Sequence, residues 1–463
     1  MALPCRYLFV PLPTRNAPSQ VAVGYYCIIR MDCQKIVKRA LFSGVLMVSA
    51  LQVSAQSGTN SPYSQYGLGV LSDQSQGMSR GMGGIGIGLR SNGVVNTLNP
   101  ASYSAVDSLT MLFDIGLSGQ ITSFKEGSAK KNAYNADFEY ATAAFRIMPS
   151  VGVAVGLLPY TNIGYSYSNA PAVGSSSLTA TETYSGSGGI HQALLGVGWR
   201  VFKGLSVGAN LSYLWGSYER KVAVSISDSY ANTMTRTYSA TVRNYKLDIG
   251  AQWTHPMGKN DVLTAGAVFG LGHSLNTDPQ LVTAINNSQT SVTTSSTKTV
   301  SDGLHLPNSF GVGLTWQHGA SLTVGADYSM QAWGNVDYPV ADNSTGEYVL
   351  RSGLLRDRHK VAVGAQWMPD ANSRKFFNRI QYRIGASYST PYIKVNGVDG
   401  PKEYGVTAGF GIPVTNGWNN RSLLNVSAQW THGSATGLIT ENTFRINIGL
   451  TFNERWFMKW KVE

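Results

Sequence analysis

Gly81, Gly83 and Gly86 stand at the spacing G-x-G-x-x-G, in which a glycine-rich turn lets backbone amides approach a dinucleotide pyrophosphate. That chemistry needs a strand before the turn and a helix after it, and neither pattern flanks residues 81–88. The alternative is steric: Gly81-Met82-Gly83-Gly84-Ile85-Gly86-Ile87-Gly88 reads as backbone packed into a narrow space, since glycine lets backbone approach backbone. Gly204-Leu205-Ser206-Val207-Gly208 matches the nucleophile pattern G-x-S-x-G, but it opens an alternating strand and not a strand-to-helix elbow. The seven histidines are scattered without metal-ligand spacing. His255, His318 and His432 each follow a tryptophan by two positions, which suits an interfacial place. No catalytic or metal constellation emerges, so the expectation is a non-enzyme with no cofactor.

The elements that must position these residues are strands. Apolar residues alternate along Leu109, Met111, Phe113, Ile115 and Leu117, and the same period of two recurs down the chain. It predicts fourteen strands, at 109–124, 136–148, 150–167, 186–201, 204–222, 238–255, 261–275, 308–317, 320–333, 358–368, 378–390, 402–413, 421–432 and 443–453. Connections after even strands are short, and those after odd strands are long and rich in Ser, Thr, Asn and Asp. Trp199, Trp253, Trp316, Trp367 and Trp430 each read as ending a strand before a short turn. An indole has an apolar body and one polar N–H, so such a row predicts a girdle at a lipid–water boundary. The fold expected is therefore all-β: a 14-stranded antiparallel transmembrane β-barrel over 108–453, in the outer membrane of a diderm bacterium. An even strand count puts both termini in the periplasm.

Composition agrees. Charged residues are 13% of the chain, against about 25% in soluble domains. Lys35, Lys38 and Arg39, the apolar run 40–51 and Val53-Ser54-Ala55 read as a signal peptide over 31–55, with 1–30 an upstream extension from a mis-assigned start. Cys5, Cys27 and Cys33 all fall ahead of Gln56, so a mature chain beginning there has no thiol chemistry. Removing the six basic residues and one acidic residue of 1–55 lowers the net charge from +11 to about +6. No Lys/Arg cluster suggests nucleic acid as a partner.

Asn99-Pro100-Ala101, with the glycine run before it and the first alternating strand after it, resembles the FadL family of outer-membrane channels for long-chain fatty acids and other hydrophobic compounds. The resemblance covers 61–453. It implies that 56–107 is an N-terminal hatch plugging the lumen, carried by Gly81, Gly83, Gly84, Gly86, Asn99, Pro100 and Ala101. It also implies a lateral gate in the third strand, where Leu157, Leu158, Pro159 and Tyr160 stand; proline cannot donate to a ladder. Asn447, Gly449 and Phe452 of the last strand resemble the polar–glycine–aromatic signal read by barrel-assembly machinery. An amphipathic periplasmic tail, 454–463, with Trp456, Phe457 and Trp460, follows.

The function expected is passive uptake of small hydrophobic molecules. The rival expectation is a structural or accessory barrel of an outer-membrane secretion or assembly machine, docked to envelope proteins through its tail. Expected partners are the lipid bilayer and lipopolysaccharide, hydrophobic solutes, and the barrel-assembly machinery during biogenesis.

Overall fold

The computed structural model describes residues 58–454 apart from 109, 173–177, 343–344 and 416–420. The leader read at 1–55 and the tail residues Trp456, Phe457 and Trp460 lie outside the described residues.

Fourteen strands close into an antiparallel barrel: β1 (Met111–Glu126), β2 (Ala129–Met148), β3 (Val151–Asn169), β4 (Ala180–Arg200), β5 (Leu205–Ile226), β6 (Thr233–Met257), β7 (Asp261–Gly270), β8 (Ser309–His318), β9 (Leu322–Gln331), β10 (Arg358–Trp367), β11 (Gln381–Ser389), β12 (Lys402–Thr415), β13 (Arg421–Ser434) and β14 (Thr440–Glu454). β14 returns to β1 from Met111 opposite Glu454 to Lys125 opposite Thr440, so the sheet has no open edge at its ends. Alternation explains the closure. Ile115 and Leu117, Leu195 and Val197, Val361 and Val363, and Ile446 and Ile448 point outward and are exposed. Their neighbours Thr142, Gln252, Thr315, Gln366, Thr407 and Asn425 point inward and are buried. An apolar outer band and a polar interior are what lipid outside and protein inside demand, and the protein is an outer-membrane barrel.

Connections divide by side, with exceptions. On one rim the turns are short, as at 149–150, 201–204, 258–260 and 319–321, but the link from β10 to β11 runs over 368–380. The other rim carries 271–308 and 332–357, yet β1 and β2 are joined by Gly127 and Ser128 alone. Several strands outrun their expected bounds on this loop rim: β2 begins at Ala129 and not 136, and β6 at Thr233 and not 238. Trp199, Trp253, Trp316 and Trp367 are outward and half exposed near the short-turn rim. Trp430 is a correction. β13 runs the other way, so this tryptophan and His432 lie toward the loop rim.

The lumen is occupied by the chain's own residues 58–106. Its regular parts are the 3-10 helix Pro62–Gln65, the two-residue strand Val70–Leu71, the one-turn helix Gly77–Gly81 and the 3-10 helix Pro100–Ala105. On the loop side its Leu68 packs with Ile163, Leu214, Leu275, Leu304 and Trp333 in one buried apolar cluster.

Candidate functional site

The lumenal segment meets all fourteen strands. Gln120 on β1 donates to the Gly58 carbonyl at 3.2 Å, and Tyr140 on β2 accepts from the Gly77 amide at 2.8 Å. The Tyr103 phenol donates to Asn210 on β5 at 2.9 Å, and Gln252 on β6 donates to the Ile87 carbonyl at 3.1 Å. Thr407 on β12 accepts from the Gly83 amide at 2.9 Å, and Asn447 on β14 accepts from Arg80 at 3.0 Å. Elsewhere the contact is backbone against wall glycine. A Cβ at Gly152 of β3 would lie 2.0 Å from the Tyr103 oxygen, at Gly198 of β4 2.5 Å from that of Pro100, at Gly266 of β7 2.0 Å from that of Ile87, and at Gly364 of β10 2.2 Å from that of Met82. Gly313 of β8, Gly325 of β9, Gly385 of β11 and, through Asn425, β13 complete the ring.

The glycine run does bind an anion, but the anion is a side chain. Asp327 on β9 accepts the amides of Gly86 and Ile87 at 2.6 and 2.7 Å. Gly83 has φ +72° and abuts the carbonyls of Val363 and Ala386, where a Cβ would be 2.8 Å from each; the position demands glycine for both conformation and space. Gly81 lies against Arg383 and Gly84 beside Lys360, while Gly86 backs onto Leu98. Asn99 is fully buried and caps the 3-10 helix by accepting from the Ala101 amide at 3.1 Å. Its amide nitrogen donates to the carbonyls of Ile87 at 2.8 Å and Ala251 at 3.1 Å. Pro100 fills the first helical position, where no N–H is needed.

A buried ion pair fixes the segment laterally. Arg80 donates to Glu139 of β2 at 2.8 Å, with both side chains almost wholly buried. Asp73 stands near Arg80 and Lys360. Burial opposes its ionisation, but those two cations outweigh burial and hold the carboxyl well below the usual range. A cavity of about 350 Å3 remains beside the segment, lined among others by Asp137, Glu139, Arg358, Lys360, Glu403 and Glu441. Among the described residues no three His, Cys, Asp or Glu side chains are grouped to hold a metal.

The wall has a seam. β2 pairs with β3 only from Met148–Val151 to Ala141–Leu157. Beyond it, toward the loop rim, β3 stays on β4 with a register shift between Pro159 and Thr161. The free edge of β3 is taken by the lumenal segment. Val70 and Leu71 pair with Asn162 and Thr161, Ser64 bonds both polar groups of the Gly164 backbone, and Asn60 reaches Asn135 of β2. Leu157 points outward, Leu158 packs on Tyr140 and Leu194, and Tyr160 joins the loop-side cluster. The carbonyls of Pro159 and Tyr160 accept from Gln74 and Ser72 at 2.9 and 3.0 Å.

A family model described as BamG matches residues 36–463. The chain belongs to the BamG family. No protein with a curated description matches it. Among solved structures, this BamG-family chain is similar to a Pseudomonas aeruginosa FadL homologue at 10% identity, covering 84% of this chain and 99% of that one, with a TM-score of 0.57. It is also similar to the CymD monoaromatic hydrocarbon channel (14%, 83% and 99%, TM-score 0.56) and to the Ralstonia pickettii toluene transporter TbuX (14%, 82% and 98%, TM-score 0.55). The fold is thus shared with FadL-type barrels, while the matching family carries another description.

In this BamG-family barrel, Asn447 and Gly449 have a local role apart from any assembly signal. Both face the lumen: Asn447 binds Arg80, and a Cβ at Gly449 would lie 2.7 Å from the Tyr140 hydroxyl. Phe452 faces outward opposite Phe113. Sequence reasoning passed over Asp327, Glu139 and Arg383. For Asp327 and Arg383 the available signal is a lone charge on the inward face of an alternating strand; Glu139 shares its face with Asp137.

Proposed function

We propose that the chain is a non-enzymatic accessory barrel of an outer-membrane protein assembly machine, with its short-turn rim and both termini in the periplasm. The observation carrying this reading is the lumen: one segment braced against every strand leaves the wall and rims as working surfaces. Membership of a family whose name carries the Bam prefix of the barrel-assembly machinery supports it. The cavity's lining is mixed, with Asp137, Glu139, Arg358 and Lys360 beside Leu71, Leu98 and Ile393, and so is not that of a dedicated apolar pocket. A braced barrel beside a partner barrel would hold that partner's wall and present docking loops on both rims. The test is purification of the natively tagged protein from outer membranes in mild detergent. Assembly-machine subunits should co-purify in stoichiometric amounts, and depletion should lower outer-membrane protein levels. A barrel that purifies alone, with normal outer-membrane proteins after depletion, would refute it.

One observation favours a second reading. The seam between β2 and β3 is a lateral break of the kind through which hydrophobic solutes such as fatty acids or monoaromatic compounds would leave the lumen. In that case residues 58–106 act as a hatch and must shift. Labelled-substrate uptake that falls on deletion of the protein, with assembly intact, would favour it.

A further inference from the structure

Three arginines gather on the lumenal face of the short-turn rim. Arg90 lies in the lumenal segment and donates to the Ala101 carbonyl at 3.1 Å, Gln252 at 3.2 Å and Ser104 at 2.9 Å. Ser104 anchors the group to the wall: Cβ atoms built at Gly152 and Gly198 would lie 3.3 and 2.9 Å from its amide. Arg146 of β2 is the register partner of Gly152. It points inward, in step with Ala144, which packs on Tyr103. Arg200 of β4 follows Gly198 on the same inward face; its amide bonds Ser150 at 2.8 Å and its guanidinium bonds the Pro149 carbonyl at 3.1 Å.

All three cations therefore share one quadrant of the mouth, and every hydrogen bond they make is to a neutral oxygen. Arg146 Nε is buried with no hydrogen-bond partner. Asp107, just past the lumenal segment, accepts from Asn92 at 2.8 Å and from none of the three arginines. Burial first, and then the charges of Arg200 and Arg146, push Arg90 down to about 10, so it stays cationic at neutral pH. Among the described residues no carboxylate is hydrogen-bonded to any of the three, and like charges held together in this way attract an anion.

We propose that Arg90, Arg146 and Arg200 form a docking site for an acidic peptide segment of a periplasmic partner. Arg146 and Arg200 stand on the inward face of the wall and not on the face that meets lipid, so the placement favours a soluble chain over a lipid. Planar guanidinium forks match carboxylates in pairs. The placement rests on the short-turn rim being periplasmic, as stated above.

The test uses full-length protein in detergent and a fluorescent ten-residue peptide of alternating Glu and Asp, with its Gln/Asn counterpart as control. The acidic peptide should bind in a salt-dependent way and the neutral one should not. Arg146→Gln and Arg200→Gln should each weaken binding about tenfold and the double variant about a hundredfold, taking one charge-assisted contact as about one decade. Lys375→Gln, on the exposed 368–380 turn, should change nothing. Heat-modifiable gel mobility confirms that each barrel is folded. Independently, a dye on Ser150→Cys, with Cys5, Cys27 and Cys33 replaced by serine, should be quenched by a quencher-tagged acidic peptide. Equal binding of the neutral peptide, unchanged affinity in the double variant, or an unquenched dye would overturn the site. Arginine-dependent binding of phosphatidylglycerol vesicles in place of peptide would overturn the choice of partner. Peptide binding without any co-purifying assembly subunit would leave the site standing and the assembly reading refuted.

Discussion

The Asp327 carboxylate on β9 accepts the Gly86 amide at 2.6 Å and, with the same oxygen, the Ile87 amide at 2.7 Å. One wall acid thus satisfies two consecutive donors of a segment that has no strand ladder of its own at that point. Asp327→Ala should orphan both, at a cost of roughly 1–3 kcal/mol for each buried donor. The expected result is a barrel that still folds but exposes 58–106 to protease. Limited proteolysis of the purified variant checks this; wild-type resistance would show that the amides are held by something else.

The Arg80–Glu139 pair should behave as a unit. Removing either partner leaves a buried charge with only a weaker counter-charge, Asp73 for Arg80 and Arg445 at 3.8 Å for Glu139, and should cost up to about 3–5 kcal/mol. Glu139→Gln and Arg80→Met should each lower the unfolding temperature strongly, and the double variant should lose clearly less than the sum. A double-mutant cycle from thermal unfolding in detergent measures the difference, and strict additivity would deny the coupling.

The barrel was legible because lipid imposes alternation on one face, and Ile115, Leu195 or Ile448 carry that imprint one by one. The signal fades above the bilayer. Residues 129–135, Ala-Lys-Lys-Asn-Ala-Tyr-Asn, continue β2 with polar groups on both faces, so the strand start was read late. Trp430 was read as ending at a short turn because its neighbours repeat those of Trp367; strand parity assigns it to the other rim. The glycine run announced tight packing, and its backbone does lie against wall glycines. Its anchor Asp327 was hidden because the two are 241 residues apart in sequence. Arg90, Arg146 and Arg200 are equally scattered, and only the barrel's closure brings them to one mouth.

Gly385 on β11 is the wall counterpart of Gly83. A Cβ there would lie 2.1 Å from the Gly83 nitrogen and 2.2 Å from the Met82 carbonyl carbon. Backbone cannot yield as a side-chain tip does, so Gly385→Val should block insertion of the segment. The expected phenotype is loss of folded protein from the outer membrane, read by heat-modifiable mobility. Thr323→Val, at an inward site on β9, should be tolerated. A folded Gly385→Val barrel at wild-type level would argue that the segment docks loosely.

The seam offers the sharpest test of the two functional readings. Val70 of the lumenal segment stands directly opposite Asn162 of β3. Facing residues of an antiparallel pair have Cα atoms about 4.5–5.5 Å apart, within the roughly 4.4–6.8 Å span of a disulfide. The chain's own Cys5, Cys27 and Cys33, all ahead of the described residues, are replaced by serine for this test. Val70→Cys with Asn162→Cys should therefore oxidise cleanly, shift mobility on a non-reducing gel, and add about 2–4 kcal/mol of stability. In a braced accessory barrel the bond only fixes a contact already made. Outer-membrane protein assembly and partner co-purification should then match wild type, oxidised or reduced. If the segment instead swings aside to release hydrophobic solutes through the seam, uptake should fall in the oxidised state and return on reduction. Reductant-dependent uptake of a labelled fatty acid, with assembly indifferent to the bond, would move the assignment from assembly to passage.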